Sequence, residues 1–235
     1  TLSSSSAASD VYKRQAHGCA ERGLTFSEVA VALDCAMFMQ HSVHSEFDDP
    51  KQIAATVRFD TEEALATDIT DVALAFKVNS TDKAGSQLTV FTAQRKILSE
   101  ILHSLQQHNL DPVTIEPDVN CLSRFICQKV SSAESQKART LFAMLSRRSG
   151  YLVVPPVSAG GGIGGAGSQK ASTVRTFLVG PTQHRGELLA REALVSAALT
   201  TSLGPINRVK LFDSAGSINY EQLGKKLGIE AGEID

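Results

Sequence analysis

The sequence predicts an α/β fold, and three observations carry that prediction. Met37 to Glu116 runs strand, helix, strand, strand, helix, strand, the order of a split β-α-β, ferredoxin-like unit. Leu141 to Leu227 again alternates short apolar runs with amphipathic helices. The chain has 235 residues, 42% of them hydrophobic, which suffices for one large packed domain or two small ones.

Ser27 to Asp34 (SEVAVALD) alternates small apolar residues and is predicted to be a strand. Cys35-Ala36 makes a tight connection to a second alternating run, Met37 to Ser45. Asp48-Asp49-Pro50 places a capping carboxylate before a proline at a first helical position. The helix then runs to about Ala66, with Ile53, Val57 and Leu65 on one face. Asp71 to Asn79 and Gln87 to Thr92 are strands around the turn Asp82 to Ser86. Ala93 to His108 is the clearest helix: Ile97, Leu98, Ile101, Leu102 and Leu105 form one stripe, and Asn109 is placed to cap its end. Pro112 to Glu116 is a strand. Asp118 caps a helix through Phe125, Ile126 and Val130.

Both helices, Pro50 to Ala66 and Ala93 to His108, are expected on one face of a single antiparallel sheet. Its strands would be Met37 to Ser45, Asp71 to Asn79, Gln87 to Thr92 and Pro112 to Glu116. The stripe of Ile97, Ile101 and Leu105 would point into it.

Further on, Leu141 to Leu145 and Tyr151 to Val154 flank Arg147-Arg148-Ser149-Gly150 as a hairpin. Ala159 to Ser172 is a glycine-rich loop, expected to be exposed. Val174 to Val179 is a strand. Arg185 to Leu199 is a helix with Leu188, Leu189, Val195 and Leu199 on its buried side. Arg208 to Phe212 is a strand, Ala215-Gly216 a turn and Tyr220 to Leu227 a helix. Thr1 to Gln15 (TLSSSSAASDVYKRQ) has no apolar period and resembles a translated sequencing adapter, so it is expected to be a non-native or disordered tail that packs against nothing.

A formal charge of −2 gives no basic excess to hold nucleic acid. No run approaches the ~18 apolar residues of a membrane span. Cys19, Cys35, Cys121 and Cys127 show no C-x-x-C spacing and are expected to be reduced, small apolar residues.

Signals for chemistry are weak. The run Gly160 to Gly167 satisfies G-x-G-x-x-G, but a dinucleotide loop must open an apolar helix. Here a polar segment and then a strand follow, so it is a loop. His41 and His44, three apart on a strand, face opposite ways and cannot share a metal. No G-x-S-x-G surrounds a serine. Asp60, Glu62, Glu63, Asp68 and Asp71 lie too close in sequence to argue a catalytic pair. The expectation is therefore no catalytic residue, no metal ligand and no cofactor-binding residue that can be named.

Several phrases nevertheless resemble the actin-like assembly proteins of type IV pilus and type II secretion systems, the PilM and GspL families. Asp48 to Phe76 resembles the stretch in which a helix with an acidic "F-E-x-E" phrase, here Phe59-Asp60-Thr61-Glu62, precedes a strand. Leu88 to Phe125 is similar in its strand, long helix, turn (His108 to Pro112) and strand. Glu187 to Leu199 is similar to the family helix with an Arg-Glu pair, here Arg191-Glu192. Val209 to Gly216 and Leu223 to Gly228 match the strand, turn and helix that follow.

The resemblance implies an actin-like, ribonuclease H-like fragment of two lobes. Residues 16–130 would be part of the first lobe, with a ferredoxin-like insert at about 37–117. Residues 131–235 would be the second lobe, incomplete, with the glycine-rich loop 159–172. It implies a cytoplasmic place at the inner face of the bacterial inner membrane and a membrane-anchored assembly protein as partner. An assembly ATPase is a second implied partner, and a homo-oligomer stays open.

Family members that bind ATP hold it with two phosphate loops and an adenosine-side turn. The first loop would precede Ala16. The second would lie between Arg139 and Leu152, where the chain reads RTLFAMLSRRSGYL without aspartate or paired glycines. The adenosine-side turn appears as Asp213-Ser214-Ala215-Gly216. The expectation is a scaffold without tight nucleotide binding and without a cofactor. Two alternatives stand beside it: an ATP-binding actin-like ATPase whose first loop is missing, with ATP and Mg²⁺ as cofactors, and an unrelated two-domain protein.

Overall fold

The structure, a computed structural model, describes residues 14, 17–25, 27–66, 68–130, 139–156, 172–199 and 205–234. Of the expected tail only Arg14 lies among them, and the glycine run 160–167 lies outside them.

Three sheets organise these residues. Strands β2 (Met39–Ser45), β3 (Val72–Asp82) and β4 (Gly85–Gln94) form an antiparallel sheet in the order β2-β4-β3. Helix α1 (Pro50–Leu65) packs on it. Its predicted cap is present: Asp49 accepts from the N–H groups of Lys51 and Gln52 at 2.9 and 3.0 Å. Ile53 and Val57 join Val43, Leu88 and Val90 in a core of their own. The β3–β4 turn needs glycine: Gly85 has φ 120°, and a Cβ there would stand 2.1 Å from the Ser45 carbonyl oxygen.

The ferredoxin-like sheet expected over 37–117 does not form. Strand β5 (Pro112–Pro117) leaves it and pairs in parallel with β1 (Val29–Leu33). Parallel neighbours require a crossover, and the chain between β1 and β5 supplies it, returning through α2 (Arg95–Gln106). Its stripe meets Phe91 of β4, as expected, but packs also against strands outside that sheet. Ile101 and Leu105 are buried, and Ile97 and Leu98 half-buried, in a core with Val31 and Leu33 of β1. The two helices serve different cores rather than one sheet face. Asn109, at φ 56°, turns the chain out of α2 as predicted.

The remaining strands form a five-stranded sheet in the order β10-β9-β6-β7-β8. Strands β6 (Thr140–Leu145), β7 (Ser149–Val154) and β8 (Thr173–Leu178) are antiparallel neighbours. Strands β9 (Arg208–Asp213) and β10 (Glu230–Glu233) add in parallel on the other side of β6. Strand β10 was not expected from the sequence, since Glu230-Ala-Gly-Glu has no apolar alternation.

Helix α4 (Arg185–Leu199) buries Leu188 and Leu189 as predicted, but Val195 is exposed. Glu192 takes the buried place instead, where it accepts from Arg175 Nε at 2.8 Å and Arg191 Nη2 at 2.9 Å. Helix α5 (Tyr220–Leu227) is capped by Asn219 and closed by Gly228 at φ 68°.

Helix α3 (Asp118–Val130) follows β5 directly. Its Val119 and Ile126 share a core with Tyr151 and Val153 of β7 and Val174 of β8, so the N-terminal elements pack against the five-stranded sheet. Polar contacts cross the same boundary. Gln40 Nε2 donates to the Val174 carbonyl at 2.7 Å, and Lys77 Nζ donates to Ser172 Oγ at 3.1 Å. Ser172 also bonds Ser123. Ser172, counted with the exposed glycine-rich loop on sequence grounds, is buried because it sits in this contact. All four cysteines are free thiols.

Candidate functional site

The register of β6 against β9 sets Leu145 beside Asp213. The β6–β7 hairpin and the turn after β9 therefore lie side by side, at the carboxyl ends of parallel strands where open α/β sheets bind ligands. These are the two segments singled out by sequence as the second phosphate loop and the adenosine-side turn. The structure brings them together: Ser214 N donates to the Leu145 carbonyl at 2.9 Å.

Arg185 at the start of α4 ties them. Its Nη2 donates to Asp213 Oδ1 at 2.5 Å and to the Leu145 carbonyl at 3.3 Å. The Asp213 side chain is 1% exposed. Burial pushes its carboxyl pKa up, but Arg185 and the N–H groups of Ser217 and Ala215 outweigh that and hold it below the ordinary range. Sequence reading missed Arg185; its only signal was a lone base opening an apolar helix.

A phosphate loop works by aiming free backbone N–H groups at an anion. In the two turns the N–H groups of Ser146, Arg148, Ser149, Ala215, Gly216 and Ser217 are bonded internally. Ser146 N donates to the Ser149 carbonyl at 2.8 Å. Ser146 Oγ accepts from Ser149 N at 3.0 Å and Arg148 N at 3.4 Å. After β9, Asp213 accepts from Ala215 N at 3.2 Å and Ser217 N at 2.9 Å through its carboxylate, and from Gly216 N at 3.0 Å through its carbonyl. A carboxylate fills the adenosine-side turn, and a serine side chain fills the hairpin.

Two carboxylates pack against the start of β7. Asp34, at the end of β1, accepts from Ser149 Oγ at 2.9 Å. Beside it Tyr151 OH donates to Asp118 Oδ2 at 2.5 Å, while Asp118 Oδ1 is buried without a hydrogen-bond partner among the described residues. Burial, with the charge of Asp34 adding, pushes Asp118 up to about 6 against the pull of the Tyr151 hydroxyl and the Val119 N–H. Burial and the same carboxylate raise the Tyr151 phenol, and burial raises the Cys35 thiol.

Two clefts open on this region. One, of about 460 Å³, is lined by the starts of α4 and α5, including Arg185, Ile218 and Lys226. The other, of about 710 Å³, is lined by Arg147, Arg148, Leu178 and Arg185 among others. His41 bonds Thr92 and His44 bonds Gln87, so the two histidines have separate partners. Among the described residues no group of three metal-ligating side chains converges, and no helix is long and apolar enough to cross a membrane.

Comparison with known proteins places this geometry in a family. A family model described as type II secretion system (T2SS), protein L, matches residues 23–144. A solved structure described as the PilM-PilN type IV pilus biogenesis complex superposes with a TM-score of 0.72 at 14% identity, covering 97% of this chain and 75% of that one. The cytoplasmic domain of EpsL, an inner membrane component of the type II secretion system of Vibrio cholerae, superposes with a TM-score of 0.50 at 15% identity, covering 84% of this chain and 66% of that one. No curated protein sequence matches the chain significantly. The structural likeness establishes the actin-like fold expected from the sequence.

Proposed function

We propose that this chain, which belongs to the type II secretion system protein L family, is a scaffold of an inner-membrane secretion or type IV pilus assembly complex that does not hold nucleotide tightly. It would act on the cytoplasmic side, with a membrane-anchored assembly protein as its partner and the assembly ATPase as a second one. The family match and the two structural likenesses support membership of such a complex. The unit β2-α1-β3-β4, interposed between β1 and β5, is read as the insert of a first lobe.

One observation carries the reading on nucleotide. Ser146 and Asp213 take up the N–H groups of Arg148, Ser149, Ala215 and Ser217, which the two turns would otherwise offer to phosphate and adenosine. Arg147 and Arg148 supply charge there, but charge without a positioned N–H cradle gives weak, salt-sensitive contact. Calorimetry of the full-length protein with Mg-ATP is expected to show affinity no better than roughly millimolar, about −4 kcal/mol, and no measurable hydrolysis. Micromolar binding would replace the scaffold reading with that of an ATPase.

A further inference from the structure

The two clefts share Gln183 and Arg185 and so lie side by side, as one grooved surface, at the ends of β6 and β9. Its charged lining is Arg147, Arg148, Arg185 and Lys226 against Glu187 alone. That is four bases and one acid, on a chain whose formal charge is −2. Two of these bases are not used up internally. Arg147 and Arg148 form no ion pair among the described residues, and Lys226 meets Glu187 only at 4.0 Å. Arg185 spends one arm on Asp213, while its buried Nε has no partner among the described residues. Apolar side chains interleave with the charges. Leu178 is 58% exposed at the rim, and Val179, Pro181 and Ile218 line the walls.

We infer that this groove docks an extended acidic peptide segment of a partner protein, with carboxylates on Arg147 and Arg148 and an apolar side chain against Leu178. The inference rests on the reading that the groove holds no nucleotide. The exposed Leu178 beside Arg147 and Arg148 favours a peptide that carries both carboxylates and apolar side chains. Guanidinium groups recognise carboxylates through their own planar fork and need no backbone N–H cradle. The internally bonded N–H groups that defeat phosphate binding are irrelevant to such a contact.

The probe is a fluorescein-labelled peptide of alternating Glu and Leu, titrated by anisotropy into the full-length protein at low and high salt. The controls are an alternating Lys and Leu peptide and Mg-ATP as competitor. The acidic peptide alone is expected to bind, to weaken with salt, and to lose about tenfold or more in the Arg147→Glu/Arg148→Glu variant. Leu178→Ser should weaken it separately. Both sites are exposed, and an unchanged thermal midpoint confirms that the variants fold. Equal binding of the acidic and basic peptides, or an unchanged affinity in the arginine variant, overturns the inference and leaves the scaffold reading intact. Displacement of the peptide by micromolar Mg-ATP overturns the scaffold reading itself and the inference with it.

Discussion

Asp34 at the end of β1 and Ser149 at the start of β7 are joined by a 2.9 Å hydrogen bond across 115 positions of sequence. Ser149 is fully buried, and Asp34 also accepts from Ala36 N at 2.9 Å. The bond pins the N-terminal elements to the hairpin where an actin-like protein would hold phosphate. Ser149→Ala leaves a carboxylate oxygen without its partner and is expected to cost about 1–3 kcal/mol. The midpoint of urea unfolding should fall at unchanged m. A shift within about 0.5 kcal/mol, as at an ordinary surface site, would show that the bond holds nothing together.

Asp118 makes stability depend on pH in a defined window. Its folded pKa, about 6, stands above the ordinary aspartate value of 3.8, with burial the main cause. The folded chain therefore binds a proton that the unfolded chain has released. This contribution is fully present below about pH 4 and is lost as the pH rises through about 6. Asp118→Asn is expected to raise the melting temperature near pH 7.5 and to change it little near pH 4.5. A difference of equal size at both values would contradict the assignment.

Arg185 neutralises the buried Asp213 carboxylate. Arg185→Ala strands that charge and is expected to destabilise by about 3–5 kcal/mol. Adding Asp213→Ala should restore part of the loss, because the double variant has no unpaired charge. Denaturant unfolding of the three variants measures the coupling. Strict additivity would show the pair to be independent.

Gly85 is held at φ 120° with the Ser45 carbonyl where a side chain would begin. Gly85→Ala is expected to cost about 2 kcal/mol or more, from the backbone region and the clash together. The loss should appear in the β2-β4-β3 sheet, as faster amide exchange of Ser86 and Leu88 than of Leu141 and Val209. Uniform exchange would show that the sheet does not respond locally.

The local grammar of this chain was legible from residues alone. The Asp49 cap, the stripe of α2, the hairpin at Arg147 and the Asn109 turn are set by spacings of a few residues, where period and turn chemistry act directly. So was the resemblance to a secretion family, since its phrases follow the element order. Tertiary structure decided the rest. Strand, helix, strand, strand, helix, strand is the same string whether the last strand closes an antiparallel sheet or crosses to pair with β1. Only the competition for β5 between β1 and the β2-β4-β3 sheet separates the two topologies. Val195 and Glu192 exchanged expected places because Arg175, a strand away, makes a buried carboxylate tolerable. The site was half-legible. Ser146 to Gly150 and Asp213 to Gly216 were singled out by their departures from a pattern, but Asp34, Asp118 and Arg185 were not. Hydrogen bonds that consume a turn's N–H groups, and a carboxylate delivered from 115 residues away, leave no spacing to read. They exist only once the sheets have packed.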